Sequence, residues 1–313
     1  MRSVAAGLSR QLKATAVVSR LAETVGYNVA SVLLAVGLGI RAGGVPSGPT
    51  AWVAVGYATA TMLAKFQASV ADAIHDRAAD AANPEKNRIA AAVETLGRRR
   101  AWLLLGGYLL VALALYAAVA AIAGLWVFAA GVAVVVFGFT YSYPPRFKER
   151  GVWNHVVTTG VDAGLLVFPV AVLIGGRVAP LIVVAVALVA CYSFGYHMLH
   201  QAADVYFDRQ AGVETFATAV GVDRAVTVAA VSTGAAAGFA LALGYVVAAL
   251  TLGGVTAFYV DLYDSVRDAS PQAATRAVAD RFSIAWIATI ANGAFAVPVW
   301  WHALGTPIVG APL

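Results

Sequence analysis

The chain has 313 residues, of which 61% are hydrophobic and 12% charged, with a formal net charge of +5 and a mean hydropathy of +0.79. Soluble domains carry about a quarter charged residues, so this balance excludes an ordinary soluble fold and points to an integral membrane protein. The single cysteine, Cys191, sits in an apolar run and excludes an internal disulfide framework.

The first twenty residues set Arg2, Arg10, Lys13 and Arg20 among small and apolar side chains. They lack a continuous apolar core ahead of a cleavage site, so residues 1–19 are expected to form a retained amphipathic arm on the membrane surface. Nine apolar segments follow, at 20–40, 50–71, 101–119, 121–140, 154–176, 178–199, 223–242, 244–263 and 281–303. Each is long enough to cross a hydrocarbon layer of ~30 Å as a helix. The expected fold is therefore all-α and polytopic: one membrane domain over 1–313, with a nine-helix bundle over 20–303 and a short tail over 304–313. The third and fourth segments meet so tightly around Ala120 that they should form a hairpin. Glycine pairs at 43–44, 106–107, 175–176 and 253–254 offer surfaces on which helices can approach closely.

Lys and Arg fall almost wholly on one side of these spans. With the N-terminus in the cytoplasm, eighteen of the twenty-one basic residues are cytoplasmic, Arg41 and Arg177 lie opposite, and Lys65 is inside the second span. That bias fixes the expected orientation, with the C-terminus outside. The positive charge is thus topology and contact with membrane lipid; no basic stripe with interleaved aromatics suggests a nucleic-acid partner. None of the sixteen Asp and Glu residues falls in an outer loop. Any active face is cytoplasmic.

After the second span the sequence reads DAIHDRAADAANPEKNR, from Asp72 to Arg88. Asp72, Asp76 and Asp80 recur every four residues, so in one helix they share a face, where like charges repel unless a cation neutralises them. A second pair, Asp204 and Asp208, follows 132 residues later at the end of another apolar run. Two acidic stripes at matching helix ends suggest a metal-bridged polyanion such as a diphosphate. The competing explanation is ion pairing with Arg77, Arg88, Arg209 and Arg224 at a hydrated membrane surface. The two clusters also divide the chain into weakly related halves.

Three stretches resemble the UbiA superfamily of intramembrane prenyltransferases. DAIHDRAADAANPEKNR resembles its first aspartate motif, TYSYPPRFKERG (140–151) its loop after the fourth span, and DVYFDRQAGVETFATAVG (204–221) its second motif. The resemblance covers nearly the whole chain and implies helices around a central cavity. It also implies Mg²⁺, with Mn²⁺ as a substitute, held by Asp72, Asp76, Asp80, Asp204 and Asp208. The implied activity is transfer of an isoprenyl group from an isoprenyl diphosphate donor to a lipophilic acceptor: a quinone precursor, another aromatic or a carotenoid. Asp76 and Asp208 become catalytic candidates, and both acidic motifs are expected to converge on one diphosphate. Tyr141 and Ser142 stand where the family has polar residues near diphosphate and acceptor.

Other residues have two readings each. Lys86, Arg88, Arg146, Lys148 and Arg150 could clamp phosphate oxygens, or serve as topology signals beside anionic lipid. Lys65, seven residues before Asp72, either faces the pocket or snorkels. Asp162 lies inside the fifth span, where an ionised group costs about 2.5–3.5 kcal/mol on insertion scales. It is expected to hold the acceptor or steady a carbocation, or else to pair with Lys65. His200 is the candidate acceptor-side base.

The chain departs from the family pattern twice. Asp72 stands at an Asn position with Ala73 in place of the next Asp, so either Asp72 takes over that ligand or the site holds metal differently. A Tyr-x-x-x-Lys pattern reads Tyr196 to His200, without the Lys. HQAAD and ETFATAVG are similar to the lycopene-elongase branch. A UbiA-type terpene cyclase acting on the donor alone is the alternative; a transporter or a non-catalytic homologue ranks lower.

Overall fold

A computed structural model describes residues 2–83 and 86–305, with side chains from residue 7 onward. Pro84 and Glu85 of the first motif, and 306–313 of the expected tail, lie outside the described residues. Of the described residues, 86% are helical. Among the described residues the extended pairing consists of one isolated parallel bridge, Gly151 to Thr215. Contacts divide the chain into two compact units, Met1–Val25 with Gly56–Phe147, and Gly26–Val55 with Lys148–Leu313. The weakly related halves suggested by the two acidic clusters do not predict that residues 26–55 group with the C-terminal part.

The first unit contains α1 (Arg2–Val18), the first turn of α2 (Leu21–Arg41), most of α3 (Gly48–His75), α4 (Arg77–Ala82), α5 (Asn87–Leu96), α6 (Arg98–Ala123) and α7 (Leu125–Ser142). Its core at the motif end gathers Ala14 and Val18 of α1, Val70, Ala71 and Ala73 of α3, Ile89 and Val93 of α5, and Leu105 of α6. The expected surface arm is therefore packed along its C-terminal half, while Leu8 and Leu12 stay exposed. The α6–α7 hairpin turns at Gly124, four residues past the expected Ala120. Gly124 has φ +97°, a conformation that glycine alone adopts readily.

The second unit holds the rest of α2 and the start of α3, then α8 (Val152–Thr159), a π-helical stretch (Gly160–Val167) and α9 (Phe168–Gly175), which together make the fifth span. It continues with α10 (Pro180–Ala202), α11 (Val205–Gln210), α12 (Phe216–Val220), α13 (Val222–Ala242), α14 (Val246–Val266), α15 (Pro271–Arg281) and α16 (Ile284–Ala303). Helix α10 packs on α8, the π-helical stretch, α13 and α16. Of the glycine pairs, those at 43–44 and 175–176 meet expectation: a side chain on Gly44 would collide with the backbone of Ile174 and Gly175. Around Gly106, Gly107, Gly253 and Gly254 nothing lies within 4 Å of an added Cβ, so those two pairs do not mark a close approach.

Among the described residues eight helices are long and apolar enough to cross a membrane. The remaining expected span, 50–71, is the 28-residue α3. Its length suffices, but Thr50, Thr59, Thr61, Lys65 and Gln67 dilute its apolar character.

Candidate active site

The first aspartate motif is built where α3 ends. Asp76 occupies the bend between α3 and α4, yet its N–H bonds the Asp72 carbonyl at 2.8 Å and the Asp80 N–H bonds the Asp76 carbonyl at 2.8 Å. The three acids are thus not on one unbroken helix, although the four-residue hydrogen-bond spacing survives the bend. Asp72 accepts from Ser142 Oγ through Oδ1 at 2.7 Å and from Arg20 through Oδ2 at 2.7 Å. Asp76 Oδ1 lies 2.8 Å from His75 Nδ1. Asp80 is 5% exposed, and its Oδ2 is buried without a hydrogen-bond partner.

The electrostatics follow from this burial. Desolvation, with Asp72 and Asp76 nearby, pushes the Asp80 carboxyl up to about 6 against the pull of Lys86 and Arg20. Burial alone would lower the Arg20 value; Asp72 first, then Glu23, Asp80 and Tyr141, raise it above the ordinary range for arginine. Arg20 therefore keeps its charge inside the unit.

The second motif lies in the second unit. Asp204 is the N-cap of α11, and the Asp208 N–H bonds its carbonyl at 2.9 Å, which places the two acids one turn apart. The loop after them is tied down by Arg209 donating to the Thr218 carbonyl at 2.6 Å and by the Thr215–Thr218 capping box. Upstream, His155 Nε2 lies 3.1 Å from Gln201 Oε1, which pins the end of α10 to α8 just before the motif.

Asp162 falls in the π-helical stretch, a geometry frequent at functional positions. Its Oδ2 accepts from Tyr196 Oη at 3.0 Å and lies 3.0 Å from His197 Nε2, while Tyr196 Oη shares a 2.6 Å hydrogen bond with Ser193. Tyr27 and Tyr192 stand beside the Tyr196 ring. An acid within a membrane span thus has hydrogen-bonding partners on the neighbouring helix, as a buried polar group requires.

The expected residues are therefore distributed as follows. Lys65, Asp72, Asp76, Asp80, Lys86, Arg88, Tyr141, Ser142 and Arg146 belong to the first unit, and Lys148, Asp162, His200, Asp204 and Asp208 to the second. Arg88, a proposed phosphate clamp, donates to Glu23 at 2.6 Å with most of its side chain exposed. Lys148 is 7% exposed, and its carbonyl accepts from Asn154 at 3.1 Å. Lys65, Tyr141, Arg146 and His200 are half-buried. Sequence reasoning missed Arg20, counted there only as a topology signal, and His197. Neither carries a local signal, because each acquires its role from a partner distant in sequence.

The model of the UbiA prenyltransferase family matches residues 29–286. The chain belongs to that family. This UbiA-family protein is accordingly an intramembrane prenyltransferase. Three solved structures share its fold. A UbiA homologue from Archaeoglobus fulgidus bound to DMAPP and Mg²⁺ is 18% identical, with TM-score 0.60 over 91% of this chain and 98% of its own. The apo structure of a UbiA homologue from Aeropyrum pernix K1 is 19% identical, with TM-score 0.63 over 87% and 97%. A digeranylgeranylglyceryl phosphate synthase structure is 13% identical, with TM-score 0.57 over 93% and 99%. No curated protein sequence matches.

The donor set of the UbiA-family protein fits a hard divalent cation. Its acids are carboxylates, and Asp80 has a buried oxygen that accepts no hydrogen bond. Among the described residues, no three or more His, Cys, Asp or Glu side chains are gathered to hold one ion.

Proposed function

We propose that this protein uses Mg²⁺ to transfer an isoprenyl group from an isoprenyl diphosphate to a lipophilic acceptor in the membrane. The observation that carries this reading is the buried Asp80 oxygen that accepts no hydrogen bond, in a first motif whose Asp72 is already paired with Arg20. Family membership supports it, as does the donor bound in the A. fulgidus relative. Asp76 and Asp80 of the first motif would hold metal, as would Asp204 and Asp208 of the second. Bound magnesium would supply positive charge against the departing diphosphate. Lys148 and Tyr141 would orient phosphate oxygens, and the apolar helices would seat the isoprenoid tail, each buried CH₂ contributing about 0.8 kcal/mol. Asp162 would hold the acceptor or steady cationic character on the allylic carbon, and His200 would take the proton that the acceptor loses. The acceptor is a carotenoid, a quinone precursor or another aromatic. The N-terminus and both motifs face the cytoplasm.

The test is turnover in nanodiscs with labelled geranylgeranyl diphosphate and Mg²⁺, with and without candidate acceptors. Transfer should require acceptor and metal together, and Asp76→Ala or Asp208→Ala should each abolish it while the protein stays folded. A cyclised hydrocarbon formed from the donor alone would replace this reading with that of a terpene cyclase. Full activity in either variant would overturn the metal assignment.

A further inference from the structure

We propose that Arg20 is the built-in counter-cation of the first acidic motif: it withdraws Asp72 from the metal set and leaves Asp76 and Asp80 as the motif's ion-holding pair. The inference deepens the functional reading above and rests on it.

Four observations converge on Arg20. It occupies the junction between α1 and α2 at φ +50°, a left-handed conformation that costs a non-glycine residue about 1 kcal/mol or more. A glycine would make that turn without strain. The residue that stands there instead sends a guanidinium into the unit, with both its own side chain and that of Asp72 largely buried. Second, both Asp72 oxygens are occupied, one by Arg20 and one by Ser142, whose side chain is fully buried. A metal ion entering there would have to displace a charge-assisted pair in a poorly solvated place, where breaking such a pair is costly.

Third, the neighbouring position gives no alternative. Ala73 is buried in the apolar core beside Val70, Ile89 and Val93, so an acid there would point into hydrocarbon. The acid one residue earlier, about 100° around the helix, meets Arg20 instead. The acid at position 72 therefore does not take over the vacant ligand role of position 73. Fourth, no three acids of the motif are gathered around one point among the described residues, whereas Asp80 keeps a partnerless oxygen. The motif thus divides into an acid neutralised by a buried arginine, an acid beside His75, and an acid with a buried oxygen that accepts no hydrogen bond. The fixed cation also offsets the mutual repulsion of three carboxylates spaced one turn apart, so the motif folds before metal arrives.

The experiment measures Mn²⁺ binding by electron paramagnetic resonance, with inorganic pyrophosphate present, on the full-length protein in nanodiscs; thermal unfolding is followed in parallel. Asp72→Asn should change Mn²⁺ affinity by less than about threefold while lowering Tm, because Arg20 stays buried beside a weaker partner. Asp76→Asn and Asp80→Asn should each weaken Mn²⁺ at least about tenfold. The double variant Arg20→Gln/Asp72→Asn removes both charges and should recover Tm relative to Asp72→Asn with Mn²⁺ affinity intact. It carries the test if Asp72→Asn does not fold. An affinity loss in Asp72→Asn, or in the double variant, equal to that in Asp80→Asn would overturn the inference and leave the functional reading standing. Absence of Mn²⁺ binding by the unchanged protein would overturn both.

Discussion

At the scale of single residues, Asp80 has the most directly testable behaviour. Burial favours its neutral form, so its carboxyl titrates near 6 in the folded, metal-free protein, against an ordinary value of 3.8. Between those values the folded state binds more protons than the unfolded one, and the stability of the metal-free protein falls as pH rises through that window. Thermal unfolding in chelator from pH 4 to pH 7 should therefore show a downward slope that Asp80→Asn removes. Divalent cation should flatten the slope in the unchanged protein, since metal and proton compete for one carboxylate. The acids were visible as spacing in the sequence. Their unequal circumstances were not: Asp72 is held by Arg20 and Ser142 from positions 52 residues before and 70 residues after it.

At the scale of elements, close helix contacts depend on particular glycines rather than on glycine pairs as such. In the α6–α7 hairpin, a Cβ on Gly131 would strike the ring of Tyr116, which is fully buried and shares a 2.9 Å hydrogen bond with Thr61 of α3. Gly131→Val should destabilise the protein by about 1–3 kcal/mol through overpacking and the strained Tyr116–Thr61 bond. Gly107→Ala adds its methyl to open space within α6 and should be neutral or stabilising by about 0.5–1 kcal/mol. Unfolding of the two variants in detergent, with the unchanged protein alongside, checks both. The π-helical stretch around Asp162 belongs to the same scale. A continuous apolar run of the right length announced the fifth span, but nothing in its periodicity marked the change of helical pitch.

At the scale of the whole molecule, the distribution of basic residues carries a topological prediction. In a Cys191→Ala background, Ser47→Cys should react with a membrane-impermeant maleimide in intact cells, and Thr95→Cys only after permeabilisation. Equal labelling of both positions in intact cells would contradict the cytoplasmic placement of the first motif. The residues that bear on this prediction lie in segments outside the longest apolar runs, where charge can remain in water.

The sequence by itself determined that the chain is helical and membrane-embedded, roughly where its spans lie and to which family it belongs. Hydrophobic length and the spacing of a few motif residues are one-dimensional properties, readable along the chain without knowing what folds against what. The tertiary structure alone decided that α3 bends at Asp76, that the hairpin turns at Gly124, that Arg88 meets Glu23, that Asp162 meets Tyr196 and His197, and that Arg20 claims Asp72. Each depends on which side chains become neighbours once apolar surface is buried, and a buried charge takes its role from the partner that neutralises it rather than from its place in the chain.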